Sequence, residues 1–317
     1  MQASHDAASA GGHTPVLYQK VLSNLNLRSG GRYIDGTVGA GGHAEGILEG
    51  SSPDGELLGI DRDPTALTLA HQRLQVFGSR LNLRHASYVG MAGLAQSLGW
   101  DSVDGILLDL GLSSMQVDQA DRGFSFLRDG PLDMRFDPTS GQTAEEVVNS
   151  LNEADLREIL WRLGEEPKAR RIAAAIVAAR PIHTTGELAA VVASVSGKAR
   201  KGIHPATRSF QAFRIAVNNE LEQLEQGLEQ AVGLLAPQGR VAVIAFHSLE
   251  DRLVKTYFRR ESQDCVCPPE IPVCVCDHKA RLKLITPRPI KPDTAESERN
   301  PRSRSARLRI AELLTLA

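Results

Sequence analysis

The stretch Arg32-Tyr33-Ile34-Asp35-Gly36-Thr37-Val38-Gly39-Ala40-Gly41-Gly42-His43-Ala44 decides how this chain reads. Its first four residues predict a short β-strand ending in a carboxylate. The glycines that follow permit a tight turn and let a ligand approach the backbone with no Cβ in the way. Residues 45–49 then look like the start of a helix. A strand, a glycine turn and a helix in that order form the opening unit of a nucleotide-binding α/β domain.

Further along, Leu57-Leu58-Gly59-Ile60-Asp61 predicts a second strand, and residues 64–76 predict a helix with Pro64 in its first turn. Residues 81–85 form a third short run. Gly105-Ile106-Leu107-Leu108-Asp109 forms a fourth, apolar throughout, as in strands covered on both faces. Strands alternating with helices predict a doubly wound parallel sheet. Residues 115–235 contain no convincing strand. There, Thr143 with Glu146 and Thr184 with Glu187 fit capping boxes, and Gly164 and Pro181 mark helix ends. Phe210, Phe213, Val217, Leu221 and Leu224 predict a single helix with one apolar stripe. The strand pattern returns at 241–246, 282–285 and 306–310. The expected organisation is a disordered tail at 1–12, a discontinuous sheet domain at 13–118 and 236–317, and a helical insertion at 119–235.

The 317 residues carry a net charge of −2, which argues against indiscriminate coating of nucleic acid but permits a local basic surface. A membrane span would need about eighteen consecutive apolar residues, and the sequence has no such run. The start, MQASHDAASAGG, lacks the basic and apolar regions of a secretory signal. All four cysteines fall within residues 265–276, whereas a secreted disulfide scaffold would spread them, so a reducing cytoplasm is expected.

Asp61 closes the second strand, where a carboxylate can accept hydrogen bonds from both hydroxyls of a ribose. Gly39-x-Gly41-x-x-Ala44 formally satisfies the dinucleotide fingerprint, so NAD and S-adenosyl-L-methionine both fit the local pattern. The fourth strand favours the second. It runs into Leu110-Gly111-Leu112-Ser113-Ser114-Met115-Gln116 at the ligand-binding edge, a polar cluster suited to handling a base amine.

The motifs taken together resemble a specific family. They are His13-Thr14-Pro15-Val16-Leu17, Asp35-Gly36-Thr37 with Gly41-Gly42-His43, Asp109-Leu110-Gly111 with Ser113-Ser114, and Arg122-Gly123-Phe124-Ser125-Phe126. They continue with Gly130-Pro131-Leu132-Asp133-Met134-Arg135, Phe210-Gln211-Ala212, Phe246-His247-Ser248-Leu249-Glu250-Asp251 and Asn300-Pro301-Arg302-Ser303-Arg304-Ser305-Ala306. The chain resembles the MraW family, also called ribosomal RNA small subunit methyltransferase H, from His13 almost to its C-terminus. The resemblance implies a Rossmann-like class I methyltransferase sheet and N4-methylation of a cytosine in the decoding region of 16S rRNA. It implies S-adenosyl-L-methionine as cofactor, held by Gly41, Gly42, His43, Asp61, Tyr88, Asp109 and Gln116. Tyr88 stands where relatives often carry Phe, which preserves a ring for adenine.

Cytosine's amine is a poor nucleophile, so hydrogen-bond acceptors facing it are needed. Asp109, the Leu110 carbonyl and Ser113 or Ser114 are the candidates, with His247 near the substrate. Phe124 and Phe126 could flank a flipped base, although in a helical insertion such rings are more often core. Arg299, Arg302, Arg304, Arg307 and Arg309, with Lys198, Arg200, Lys201 and Arg208 and with Lys168, Arg170 and Arg171, are candidate phosphate contacts. The expected partner is 16S rRNA within the small ribosomal subunit; a homodimer is left open. Methyl transfer needs no metal and none is expected, with a structural zinc on Cys265, Cys267, Cys274 and Cys276 as the alternative. The rival functions are a nucleotide-dependent oxidoreductase and a non-catalytic assembly factor that keeps a cofactor pocket.

Overall fold

In a strand successive side chains point to opposite faces, so a strand apolar at every position needs cover on both sides. The computed structural model describes residues 15–197, 204–268, 270 and 273–315. It contains seven strands: β1 (Arg32–Asp35), β2 (Glu56–Asp61), β3 (Leu81–His85), β4 (Val103–Asp109), β5 (Leu235–Ala245), β6 (Leu282–Leu284) and β7 (Arg307–Leu313). They form one sheet in the order β3-β2-β1-β4-β5-β7-β6. The first five are parallel, and β7 runs antiparallel between β5 and β6. This is the Rossmann-like arrangement that the sequence pattern predicts.

The alternation is visible in the core. Ile34, Leu58, Ile106, Leu108, Val241 and Val243 enter one hydrophobic cluster, while their neighbours Tyr33, Leu57, Leu107, Ala242 and Ile244 enter another on the opposite face. Helices cover both. The helix Gly42–Gly50 contributes Ile47 and Leu48 to the second cluster, and Glu220–Leu234 contributes Leu224, Leu228 and Ala231 to the first. Chain order reverses at β1, which lies between β2 and β4, so the carboxyl ends of these strands flank the crevice where open sheets bind ligands.

Between β4 and β5 the chain builds a third cluster from the helices Ala144–Ser150, Glu153–Gly164, Ala169–Ala179, Thr185–Ser196 and Thr207–Asn218. Thr143 with Glu146 and Thr184 with Glu187 form the capping boxes that the sequence predicts. Two expectations need correction. The stripe from Phe210 to Leu224 belongs to two helices, because Asn219 adopts a left-handed conformation with φ 53° between them. Phe210 and Phe213 therefore pack in the helical cluster, whereas Leu224 packs under the sheet. Strand β5 begins at Leu235, not Val241, because the polar turn-forming run Pro237-Gln238-Gly239 hides its first half. The tail at 1–12, His13, Thr14, Lys198, Arg200 and Lys201 lie outside the described residues.

A buried ion pair fastens the helical cluster to the sheet. Asp63, just past β2 and fully buried, accepts from Arg122 Nη1 at 2.6 Å and from Gln116 Nε2 at 3.0 Å, and its other oxygen caps the next helix at Thr65 N. Arg122 also donates to the carbonyls of Arg135 and Phe136 at 3.0 and 2.9 Å. Burial pushes the Asp63 carboxyl up, but Arg122 and Gln116 more than offset this and hold it below the usual range. Arg122→Ala leaves a buried carboxylate without its counter-charge, so a loss of about 3–5 kcal/mol is expected. Urea unfolding of the two proteins checks this; a change below about 1 kcal/mol would show that the pair does not clamp the insertion.

Candidate active site

The carboxyl ends of β1, β2 and β4 each finish in an aspartate: Asp35, Asp61 and Asp109. Asp61 and Asp109 line a cavity of about 360 Å³ at the sheet edge, which Phe136, Asn218, Glu220 and Gln223 also line, while Asp35 is buried and is no wall of it. Most of the predicted residues converge there. Gly42, His43, Asp61, Tyr88, Asp109, Ser113 and Gln116 all line it.

The glycine loop is pinned from three sides. Gly36 N donates to Leu107 O at 2.9 Å, Val38 N to Ile60 O at 2.9 Å, and Gly39 N to Asp61 Oδ2 at 2.8 Å. Gly41 is not a wall of the cavity. It has φ 83°, and a Cβ there would stand 2.9 Å from Leu74 Cδ1, so it shapes the start of the helix. Asp61 also accepts from Asp63 N at 2.8 Å, which leaves each of its oxygens one further acceptor site. Tyr88 packs its ring against Gly227, where a Cβ would come within 2.5 Å of it.

Asp109 and His43 form a pair in the floor. The His43 Nε2 lies 3.1 Å from the Val16 carbonyl, an acceptor, so that nitrogen carries the hydrogen and Nδ1 presents a lone pair. Nδ1 faces Asp109 Oδ2 at 3.5 Å, and a lone pair facing a carboxylate is tolerable only with a proton between them. The titration shifts agree. Burial pushes His43 down to about 4, while burial, then Asp35 and Glu250, pushes Asp109 well above the carboxylate range. Asp109 Oδ1 is buried with no hydrogen-bond partner, and the backbone N of Asp109 donates to Thr37 Oγ1 at 2.7 Å. An orphaned carboxylate oxygen among three aspartates suits a ligand that brings positive charge or N–H donors.

Glu250 lines the same cavity with the opposite balance. Burial pushes it up, but His247 and Arg214 outweigh this and hold it below its usual range. The sequence drew attention to His247, which is no wall of the cavity. It caps the helix Ser248–Glu261, accepting from Glu250 N at 3.4 Å, while Glu250 Oε2 accepts from Phe246 N at 2.9 Å. Ser113 likewise caps the helix Ser114–Asp118 in a box with Gln116. Ser114 opens that helix, and its side chain lies outside the described residues.

Sequence reasoning passed over Thr37, Phe136, Phe246 and Glu220 as walls. Of these, Thr37 and Phe246 carried a signal, standing in motifs just after a strand. Phe124 stacks on Phe136 at 5.7 Å and Phe126 packs on His204 and Phe210, so both belong to the helical core. Of the C-terminal arginines, Arg307 and Arg309 are tied to Asp251 at 2.8 and 2.7 Å, with Arg309 buried. Arg302 reaches the cavity rim and pairs with Asp118, and Arg170, Arg171 and Arg304 are exposed.

A model of the MraW methylase family matches residues 10–314. A ribosomal RNA small subunit methyltransferase H from Thermomicrobium roseum is 57% identical over 95% of this chain and 93% of its own length. One from Geobacter sulfurreducens is 53% identical over 95% of this chain and 99% of its own. A solved rRNA methylase from Streptococcus thermophilus aligns over 94% of each chain at 9% identity, with a TM-score of 0.43.

The strand-end aspartates give the unliganded protein a specific pH signature. Burial, and then the charge of Asp61, raises Asp35 to about 7. A raised carboxyl favours the folded state when protonated, so its contribution is present below its ordinary value near 4 and is lost as pH rises to about 7. Asp35→Asn removes this loss: it should unfold at a higher temperature than wild type at pH 8 and at about the same temperature at pH 4. The gap should be on the order of a few kcal/mol, and an equal gap at both pH values would refute the assignment.

Proposed function

The chain belongs to the MraW methylase family, and from that premise we propose that it methylates the N4 amine of a cytosine in the decoding region of 16S rRNA. The cofactor in this reading is S-adenosyl-L-methionine, a cation that suits a cavity lined by Asp61 and Asp109. The observation that carries the proposal is the Asp109 carboxyl, which lines the cavity and keeps one buried oxygen, Oδ1, without a hydrogen-bond partner. Bound S-adenosyl-L-methionine supplies an electrophilic methyl group. Gly42 and His43 line the first loop against it, Asp61 accepts from the ribose hydroxyls through its two free acceptor sites, and Tyr88 offers a ring to the adenine. Gln116 acts less directly, since its amide is engaged with Asp63 and with Ser113 N.

The amine nitrogen must keep its lone pair for the new N–C bond while the sulfur–methyl bond breaks, and then lose a proton. Asp109, ionised, accepts a hydrogen bond from the amine through its carboxylate and holds the nitrogen in a near-attack position. The proton that leaves N4 passes to Asp109, where His43 Nδ1 at 3.5 Å shares it. Glu250 and Glu220 keep further charge on the same wall. Phe136, Asn218 and Gln223 line the cavity, which supports a reading in which the helical insertion covers the flipped base and excludes water from this chemistry. Membership of a methylase family leaves hydride transfer without support, and turnover separates an enzyme from an assembly factor.

The test is transfer of labelled methyl from S-adenosyl-L-methionine to small ribosomal subunits lacking the modification, followed by nucleoside analysis. N4-methylated cytidine is expected from wild type, and Asp109→Ala should lose about 10²-fold or more in turnover. Because the acceptor must be ionised, activity should rise with pH through the elevated Asp109 range. Near-normal turnover of Asp109→Ala at saturating RNA and cofactor would overturn its role, and label in another nucleoside would overturn the target.

A further inference from the structure

The described residues of the chain that joins the helix Ser248–Glu261 to β6 bury no apolar side chain. Val266, Val273 and Val275 are 37%, 71% and 71% exposed. Its base is held: Arg281 N donates to Glu261 O at 2.8 Å, and Arg281 Nε donates to Glu261 Oε2 at 2.7 Å. Among the described residues of the tip no side chain is buried. What it has is sulfur. Cys265, Cys267, Cys274 and Cys276 bring their Sγ atoms within 4.8 Å of one another.

We propose that these four cysteines bind one structural zinc ion. A tetrahedron with Zn–S bonds of about 2.3 Å has edges of about 3.8 Å. The separations of 3.6 Å between Cys274 and Cys276 and 3.9 Å between Cys276 and Cys265 sit at that edge length. They are nearly twice the S–S distance of about 2.05 Å in a disulfide, and all four cysteines are free. The two Cys-Val-Cys hooks also grip each other. Val266 N donates to Cys276 Sγ at 3.4 Å, and Val275 N donates to Cys267 Sγ at 3.5 Å. Each hook thus turns a backbone N–H towards a sulfur of the other, an arrangement that spreads the negative charge of thiolates.

Binding releases the thiol protons and leaves four sulfurs around one cation, with no position open for water or substrate. None of the four lines the cavity at the sheet edge. The ion therefore orders the loop and takes no part in methyl transfer. It takes the place of a hydrophobic core, which the described residues of this segment do not form.

The experiment uses the full-length protein, produced in zinc-containing medium and purified without chelators. Elemental analysis should find about one zinc per chain, and reacting the four thiols of the native protein should release it in step with their modification. The double variant Cys267→Ser, Cys274→Ser should contain almost no zinc while still binding S-adenosyl-L-methionine. Metal-free wild type with four freely reactive thiols would overturn the proposal. So would two disulfides in a non-reduced peptide map, or iron in place of zinc. If the double variant does not fold, the coupled release of zinc from the wild type decides the question alone.

Discussion

The ion pair between Asp63 and Arg122 sits at the junction on which the site depends. It lies directly after β2, two residues beyond the Asp61 carboxylate, and it reaches the short turn Ala120–Arg122 that follows the helix Ser114–Asp118. A buried pair of this kind adds little net stability, because desolvating both charges offsets most of their attraction. Its consequence is geometric. Only one placement of the segment around Arg122 lets a single guanidinium serve Asp63 and two backbone carbonyls together. Gln116 joins the same carboxylate, so the wall after β4 is fixed by the group that fixes the end of β2. Asn218 acts similarly from the other side of the insertion, accepting from Phe136 N and donating to the Met134 carbonyl.

That clamp explains the electrostatics of the cavity. Three adjacent strand ends carry carboxylates, and if they were open to water they would ionise near their ordinary values. Closed over by Phe136, Asn218 and Glu220, they lie in a medium that penalises charge. Asp35 and Asp109 are driven up and His43 is driven down, while Glu250 is held low by His247 and Arg214. Carboxyl groups of one cavity thereby take opposite protonation preferences, which is how a site obtains both a proton acceptor and a fixed charge. The strain of keeping them together is relieved by a cationic ligand.

Much of the architecture was legible because its signals are local. Strands β2 and β4 each show a short apolar run ending in an aspartate, and the two threonine capping boxes are four-residue patterns that need no tertiary context. The single stripe drawn through Phe210 to Leu224 failed for the converse reason. Its spacing is uninterrupted, and only the left-handed Asn219, beside the buried Asn218, breaks the helix and sends its two halves to different cores. His247 shows the same limit at the site. A histidine and a serine after a strand invite a chemical reading, whereas the folded chain uses His247 as a helix cap and presents Glu250 to the cavity.

The amino-acid sequence by itself determined the alternation of strands and helices, the glycine turn after β1 and the placing of Asp35, Asp61 and Asp109 at strand ends. Each follows from hydrophobic period, turn chemistry and backbone conformation within a few residues. The tertiary structure alone decided which titratable groups share a cavity, which tautomer His43 adopts and which arginines are already paired. Those properties depend on distances between residues far apart in the chain, such as Asp63 with Arg122, 59 positions away, or Arg62 with Asn218, 156 positions away. Burial and electrostatic coupling arise only when such residues meet, so no local pattern can encode them.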